Sequence, residues 1–246
     1  RIIGVSFLEA LFSQLCGTAL MTLGTLSSLP DGWTLGSLGE ILQVIETGSR
    51  PRGGVSSYSS GIVSLGAESI VGLGQYDFAK TKFVPQEYFM SMKRGIVSDR
   101  DVLLYKDGGR PGEFEPHATL VGEGFPFGTL CINEHVYRLR AKPPFFQEWL
   151  YFWLASAQLM DAMRRGGTGV AIPGLNLTAV RALPIAVPPA NVLEKFRAVA
   201  EPLVGAVLGR ARESVALSAL RDVLLPRLLS GSLRVRDGGR LIGESM

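Results

Sequence analysis

The chain has 246 residues, 46% of them hydrophobic and 19% charged, which supports one ordinary core plus an extension and excludes general disorder. Its net charge of +3 is not spread evenly, since residues 30–140 hold 11 Lys and Arg against 13 Asp and Glu; binding to a polyanion therefore has to rest on basic side chains focused on one face. Cys16 and Cys131 lack metal-ligand spacing, which excludes a cysteine-based zinc site and points to reduced thiols in a cytoplasmic setting.

Phe7 to Leu29 is a nearly continuous apolar stretch, interrupted by Glu9 and Gln14 and long enough to cross a bilayer. Its second half is diluted by Gly17, Thr18, Thr22, Gly24, Thr25, Ser27 and Ser28, and no Lys or Arg cluster flanks it, so the reading without a membrane is favoured. Because the first residue is Arg1, residues 2–15 read as the last turns of a helix belonging to an upstream segment.

Pro30-Asp31-Gly32 signals a turn, and a domain begins there. Trp33-Thr34-Leu35 reads as a strand or short turn leading into an amphipathic segment with Leu38, Ile41, Leu42 and Ile45. Thr47 to Ser60 is a polar loop rich in Gly and Ser. Ile62 to Leu65, Val102 to Tyr105, Thr129 to Ile132 and Val136 to Leu139 are short apolar runs bounded by turn residues, and predict a mixed, β-rich body. Pro143 to Met163 carries Phe145, Trp149, Phe152, Trp153, Leu159 and Met163 at helical intervals and reads as one largely buried helix. Ala182 to Val187, closed by Pro188-Pro189, reads as a final strand.

From Asn191 the apolar positions Leu193, Phe196, Ala200, Leu203, Val207, Ala211 and Val215 step by three or four, and Leu220, Leu224 and Leu228 extend the stripe. With Asn191 as N-cap and Pro226 as its end, the helix spans roughly 50 Å at ~1.5 Å per residue. Pro202 is expected to kink it. Such a stripe calls for a partner helix, in the same chain or another, and Leu193, Phe196, Leu203, Val207, Ala211 and Val215 are the helix-pairing candidates.

Catalytic chemistry is hard to build from this sequence. Gly122-Glu123-Gly124 and Lys142-Pro143-Pro144-Phe145 imitate an amino-methyltransferase, yet Lys142 offers no acceptor for an amino hydrogen. The two blocks are also closer than the ~30 residues of a βαβ unit. His117 and His135 have neither metal-site nor triad company. Asp107 to Gly112 lacks the Lys-Ser/Thr of a nucleotide loop and reads as a strand-ending turn. What remains is basic loops: Ser49, Arg50 and Arg52, Lys93 and Arg94, Lys106 and Arg110, and Arg164 and Arg165 beside Thr168. Arg suits phosphates and guanine edges, while Ser, Thr and amides near Gly fix register, so these ten are the DNA-binding candidates. Any one pair could equally be solvated loop charge; convergence on one face is what would make a site.

The order of blocks resembles the specificity subunit of Type I restriction-modification systems. Leu29-Pro30-Asp31-Gly32-Trp33 with Leu38-Gly39-Glu40 resembles that family's domain start, and Thr47-Gly48-Ser49-Arg50-Pro51 its Gly/Thr-Pro loop. Ser64 to Ile70, Asp101 to Leu104, Gly167-Thr168 to Pro173-Gly174 and Pro188-Pro189 follow in order, and Leu224-Leu225-Pro226-Arg227-Leu228-Leu229-Ser230-Gly231 is the most specific match. The chain departs from the pattern in the apolar run Leu20 to Leu26 and in Asn191-Val192, where a glutamate-glutamine pair often stands.

The resemblance implies an α+β fold in four parts. Residues 1–29 would be the end of an upstream helix and linker, 30–190 a mixed, β-rich target-recognition domain, 191–231 a spacer helix pairing as an antiparallel coiled coil, and 232–246 a tail. It also implies a non-catalytic subunit that reads half of a bipartite site on double-stranded DNA and binds no cofactor itself. Methyltransferase subunits would bring S-adenosylmethionine, and a restriction subunit ATP and magnesium. A second recognition domain would come from the same subunit or from a homodimer mate. The competing reading is a coiled-coil scaffold without sequence-specific DNA binding.

Overall fold

The computed structural model describes residues 3–22, 29–76, 80–108, 113–122, 128–167 and 173–233. Helix α1 (Ile3–Thr22) opens the chain. A β-rich body follows, with strands β1 (Thr34–Ser37), β2 (Leu42–Thr47), β3 (Ile62–Leu65), β4 (Lys82–Val84), β5 (Val102–Tyr105), β6 (Ala118–Leu120), β7 (Leu130–Ile132), β8 (Val136–Ala141) and β9 (Pro184–Val187). Between them run helices α2 (Leu38–Ile41), α3 (Gln86–Ser91), α4 (Gln147–Leu154), α5 (Ala157–Gly167) and α6 (Leu177–Ala182), and α7 (Ala190–Leu229) is the last described element. The fold is α+β with a long C-terminal helix.

Three small sheets build the body: β1 with β9, the four strands β2-β8-β5-β6, and the three strands β4-β3-β7. All described pairings are antiparallel except β3 with β7. Val102, Leu103 and Leu104 are fully buried, so β5 is covered on both faces, and this is why its sequence is a continuous apolar run rather than an alternation. Strand β8 instead alternates Leu139 inward with Arg138 and Arg140 on its other face.

The expected single helix over 143–163 is two helices. Ser156 donates its hydroxyl to the Trp153 carbonyl at 2.7 Å, and its own carbonyl accepts from the Met160 N–H, so a serine that competes for backbone bonds ends one helix and begins the next. Trp149, Phe152, Trp153, Leu159 and Met163 are all buried as core. On the N-terminal side, Val5, Leu8, Phe12 and Cys16 form one buried stripe of α1. The Phe12 ring lies 5.1 Å from Trp149 and 5.4 Å from Phe196. That packing gives the first half of the apolar stretch a place in the hydrophobic core. No helix among the described residues is long and apolar enough to cross a membrane.

Helix α7 has 40 residues and spans ~60 Å, longer than its sequence suggested. Its cap is Pro189 rather than Asn191, which lies inside the first turn; the fixed φ of the Pro188-Pro189 pair is already compatible with helix entry. Nor does Pro226 end it. The helix runs three residues further, to Leu229, and closes where Gly231 takes a φ of 70° and donates to the Leu228 carbonyl. Both Pro202 and Pro226 sit on exposed positions of the helix, where water can satisfy the carbonyls their missing N–H groups leave open.

The two halves of α7 differ. Leu193, Phe196, Ala200, Val204, Val207 and Leu208 are buried. Phe196 packs its ring within 6.0 Å of Phe12, Phe146, Trp149 and Phe152. Beyond Leu208 the stripe opens: Leu217, Leu220, Val223, Leu225, Leu228 and Leu229 are exposed. Phe196 packs on Phe12 of α1 and on Trp149 and Phe152 of α4, and Leu193 and Val207 are buried in the same core, so these three, expected to pair with a partner helix, face elements of their own chain, while Leu203, Ala211 and Val215 are only half-buried.

Candidate nucleic-acid interface

Five of the ten basic-loop positions converge. Gly48 and Gly95 cross so closely that a Cβ on Gly95 would lie 2.4 Å from the Gly48 Cα, and one on Gly48 would lie 1.6 Å from the Ile132 carbonyl oxygen. Only glycine fits this crossing, and it brings the loop carrying Ser49, Arg50 and Arg52 against the turn carrying Lys93 and Arg94. A second tie is the Tyr88 hydroxyl of α3, which donates to Ser49 Oγ at 2.7 Å. Arg52, Lys93 and Arg94 are exposed and form no ion pair among the described residues.

Arg50 is half-exposed and pairs with Glu134 at 2.5 Å, an exposed bridge weak enough for a phosphate to displace. Lys82 of β4 joins Arg50, Gly53 and Gly54 in lining a depression of about 580 Å³. Gly53 and Gly54 take φ values of 88° and 85°, which shapes the tight turn between Arg52 and Val55.

Lys106 and Arg164 sit differently. Asp107 holds both the Lys106 ammonium and, at 2.5 Å, His135 Nδ1. Arg164 is held by Glu115 through bonds of 3.0 to 3.2 Å and by Asp161 at 2.5 Å. Asp107 and Glu115, with Glu68, Glu113, His117 and His135, line a cavity of about 690 Å³, so a phosphate approaching Lys106 or Arg164 meets carboxylates. Burial pushes the Asp107 carboxyl up, but hydrogen bonds and charge from Lys106 and His135 outweigh it and leave it below its ordinary value. Burial holds His117 below the usual histidine range; its ring is tilted by 35° against that of Tyr105, with centroids 5.8 Å apart. Arg165 lies on the exposed end of α5. Arg110 and Thr168 lie outside the described residues.

An ion network supports the converged edge, and the sequence reading did not find it. Arg138 and Arg140 share a face of β8, and Asp101, fully buried, takes Arg138 Nε at 2.5 Å and Arg140 at 2.8 Å. Arg138 Nη1 also reaches Glu46 at 2.8 Å, its direct cross-strand partner on β2. Burial alone would lower the Arg138 guanidinium; hydrogen bonds to Asp101 and Glu46 outweigh it and raise it. The signal was present as Arg-x-Arg on an alternating strand, which places two cations on one face that then need a carboxylate. Lys82 carried no comparable signal, since its nearness to Arg50 depends on how β4 pairs with β3.

Among the described residues no group of three His, Cys, Asp or Glu could hold a metal ion. No protein-family model matches the chain. Among curated proteins it is similar to the Type I restriction enzyme MjaIX specificity subunit of Methanocaldococcus jannaschii, 22% identical over 209 residues. The match covers 85% of this chain and 46% of that protein, so the chain spans about half the length of the curated relative. Among solved structures it is similar to the HsdS subunit from Thermoanaerobacter tengcongensis, with 17% identity and a TM-score of 0.45 over 95% of this chain and 55% of that one. It is also similar to the S subunit of a Type I restriction-modification system from M. genitalium, with 14% identity and a TM-score of 0.43 over 89% and 54%. Over most of its length the chain is thus similar in sequence to a Type I restriction enzyme specificity subunit.

Proposed function

We propose that this chain is a non-catalytic DNA-recognition component of a Type I restriction-modification complex, reading one half of a bipartite site on double-stranded DNA. The observation that carries the reading is the convergence of Ser49, Arg50, Arg52, Lys93 and Arg94 at the Gly48–Gly95 crossing, on a head attached to a 40-residue helix. Cations on short loops position a duplex through its phosphates, and Arg side chains among them can reach base edges. The stretch of α7 from Gly209 to Leu229, clear of the buried half, spans roughly 30 Å, against roughly 34 Å per DNA turn, enough to hold a second reader about one turn away. Methyltransferase and restriction subunits are its expected partners, bringing S-adenosylmethionine, ATP and magnesium.

Selection of duplexes from a random pool by the chain together with its methyltransferase subunits tests this. Enrichment of a defined short sequence supports it; recovery of an unchanged pool sinks it.

The exposed half of α7 supplies the pairing surface in this account, as an antiparallel partner for a helix from a second recognition domain or a homodimer mate. Because Val207 is buried in the head, the test belongs further along. Leu220→Asp with Leu228→Asp is expected to abolish association, measured by sedimentation, while leaving the head folded. Association at wild-type strength in that variant would remove this face as the interface.

A further inference from the structure

We propose that Glu46 is a positioning residue for DNA contact, acting with Arg138 to hold the Lys93-Arg94 turn at the recognition edge; the inference rests on the DNA-recognition reading above. Glu46 Oε1 accepts two hydrogen bonds, from Arg138 Nη1 at 2.8 Å and from the backbone N–H of Gly95 at 2.9 Å. Gly95 directly follows Arg94 and takes a φ of 76°, so this bond fixes the turn at the residue where it reverses. Arg138 secures the far side of the same turn. Its Nη2 donates to Ser98 Oγ at 3.3 Å, and Asp101, which holds Arg138 Nε, also accepts from the Ser98 N–H at 2.7 Å. The turn is thus tied at Gly95 and at Ser98 to one ion network anchored on the fully buried Asp101.

Charge and position make opposite demands on Glu46, and that makes the inference testable. As a carboxylate close to a cationic edge, Glu46 repels phosphate, so its removal should strengthen DNA binding if charge were its only effect. As the anchor of the turn, its removal should weaken binding, because Lys93 and Arg94 then pay an ordering cost on each encounter. Each phosphate contact adds roughly 0.9 to the salt slope, or about fivefold in affinity near 0.15 M salt. Two contacts are therefore worth up to about thirtyfold, which exceeds what a single neutralised carboxylate returns.

The experiment is a double-mutant cycle on the full chain with a mixed-sequence duplex, read as affinity against salt. Glu46→Ala is expected to lower affinity about tenfold and to flatten the salt slope. In a Lys93→Ala, Arg94→Ala background it is expected to lower affinity no further. A rise or no change with Glu46→Ala, or an equal fall in both backgrounds, would overturn the inference. Partial unfolding would reduce the active fraction without moving the slope. Should Glu46→Ala not fold, Gly95→Ala displaces the same turn against Gly48 and is expected to give the same loss and the same flattening; unaltered binding there overturns the inference as well. If Arg50→Ala with Arg52→Ala weakens binding while the Glu46 cycle fails, the DNA reading stands and the positioning role falls. If neither pair of basic substitutions changes affinity, the DNA reading itself has failed.

Discussion

Replacing Arg50, Arg52, Lys93 and Arg94 together with alanine is expected to lower affinity for duplex DNA roughly 10³-fold at about 0.15 M salt and to reduce the salt slope by about 3.6, from four lost phosphate contacts. The four side chains are held on one edge by the Gly48–Gly95 crossing and by the Glu46 and Arg138 side chains behind it, none of which the substitutions touch, so their truncation removes charge without removing support. Arg52, Lys93 and Arg94 are exposed, and the Arg50–Glu134 bridge is worth at most about 1 kcal/mol, so the unfolding midpoint should stay within experimental error. The matched control is Arg164→Ala. Arg164 is already engaged by Glu115 and Asp161, and its loss is expected to change DNA affinity less than twofold. Equal losses from the control and from each edge residue would mean that net charge, rather than a site, governs binding.

Asp101→Asn is expected to be the most damaging single polar substitution in the head. Asp101 is fully buried and neutralises two guanidiniums, Arg138 at 2.5 Å and Arg140 at 2.8 Å, while its second role is to accept the Ser98 N–H. An amide keeps the shape, loses the charge, and turns one acceptor into a donor facing cations. Breaking a fully buried pair costs about 3–5 kcal/mol; because the arginines partly reach water, about 2–4 kcal/mol is expected here. For a chain of this size that corresponds to a fall in melting temperature of roughly 5–15 °C. Scanning calorimetry measures it, and a fall under about 2 °C would show the network to be dispensable for stability.

The apolar runs that became β3, β5, β7 and β8 were legible because burial on a sheet leaves its mark in the sequence itself: Val102 to Tyr105 is apolar throughout since both faces are covered. The division of 147–167 into α4 and α5 was not legible from periodicity, because the register of Trp149, Trp153, Leu159 and Met163 continues across a break that one serine makes. Asn191 and Pro226 follow local rules for helix ends, and the Pro188-Pro189 entry and the Gly231 exit override both. The basic side chains could be collected from the sequence, but their sorting could not. Arg164, expected on a loop, lies in the last turn of α5, and whether it meets a carboxylate or open solvent depends on Glu115, 49 residues away in the chain. The glycine crossing that joins Ser49 to Arg94 is equally remote in sequence, and it makes separate loops one edge.

Site-specific photocrosslinking tests the central claim most directly, with a short-range crosslinking residue placed in turn at Ser49, Lys93 and Leu177 in the assembly bound to its selected duplex. The account predicts DNA adducts from Ser49 and Lys93 and none from the exposed Leu177 of α6. Adducts from Leu177 with none from Ser49 or Lys93 would contradict it, because the duplex would then lie on a different face of the head.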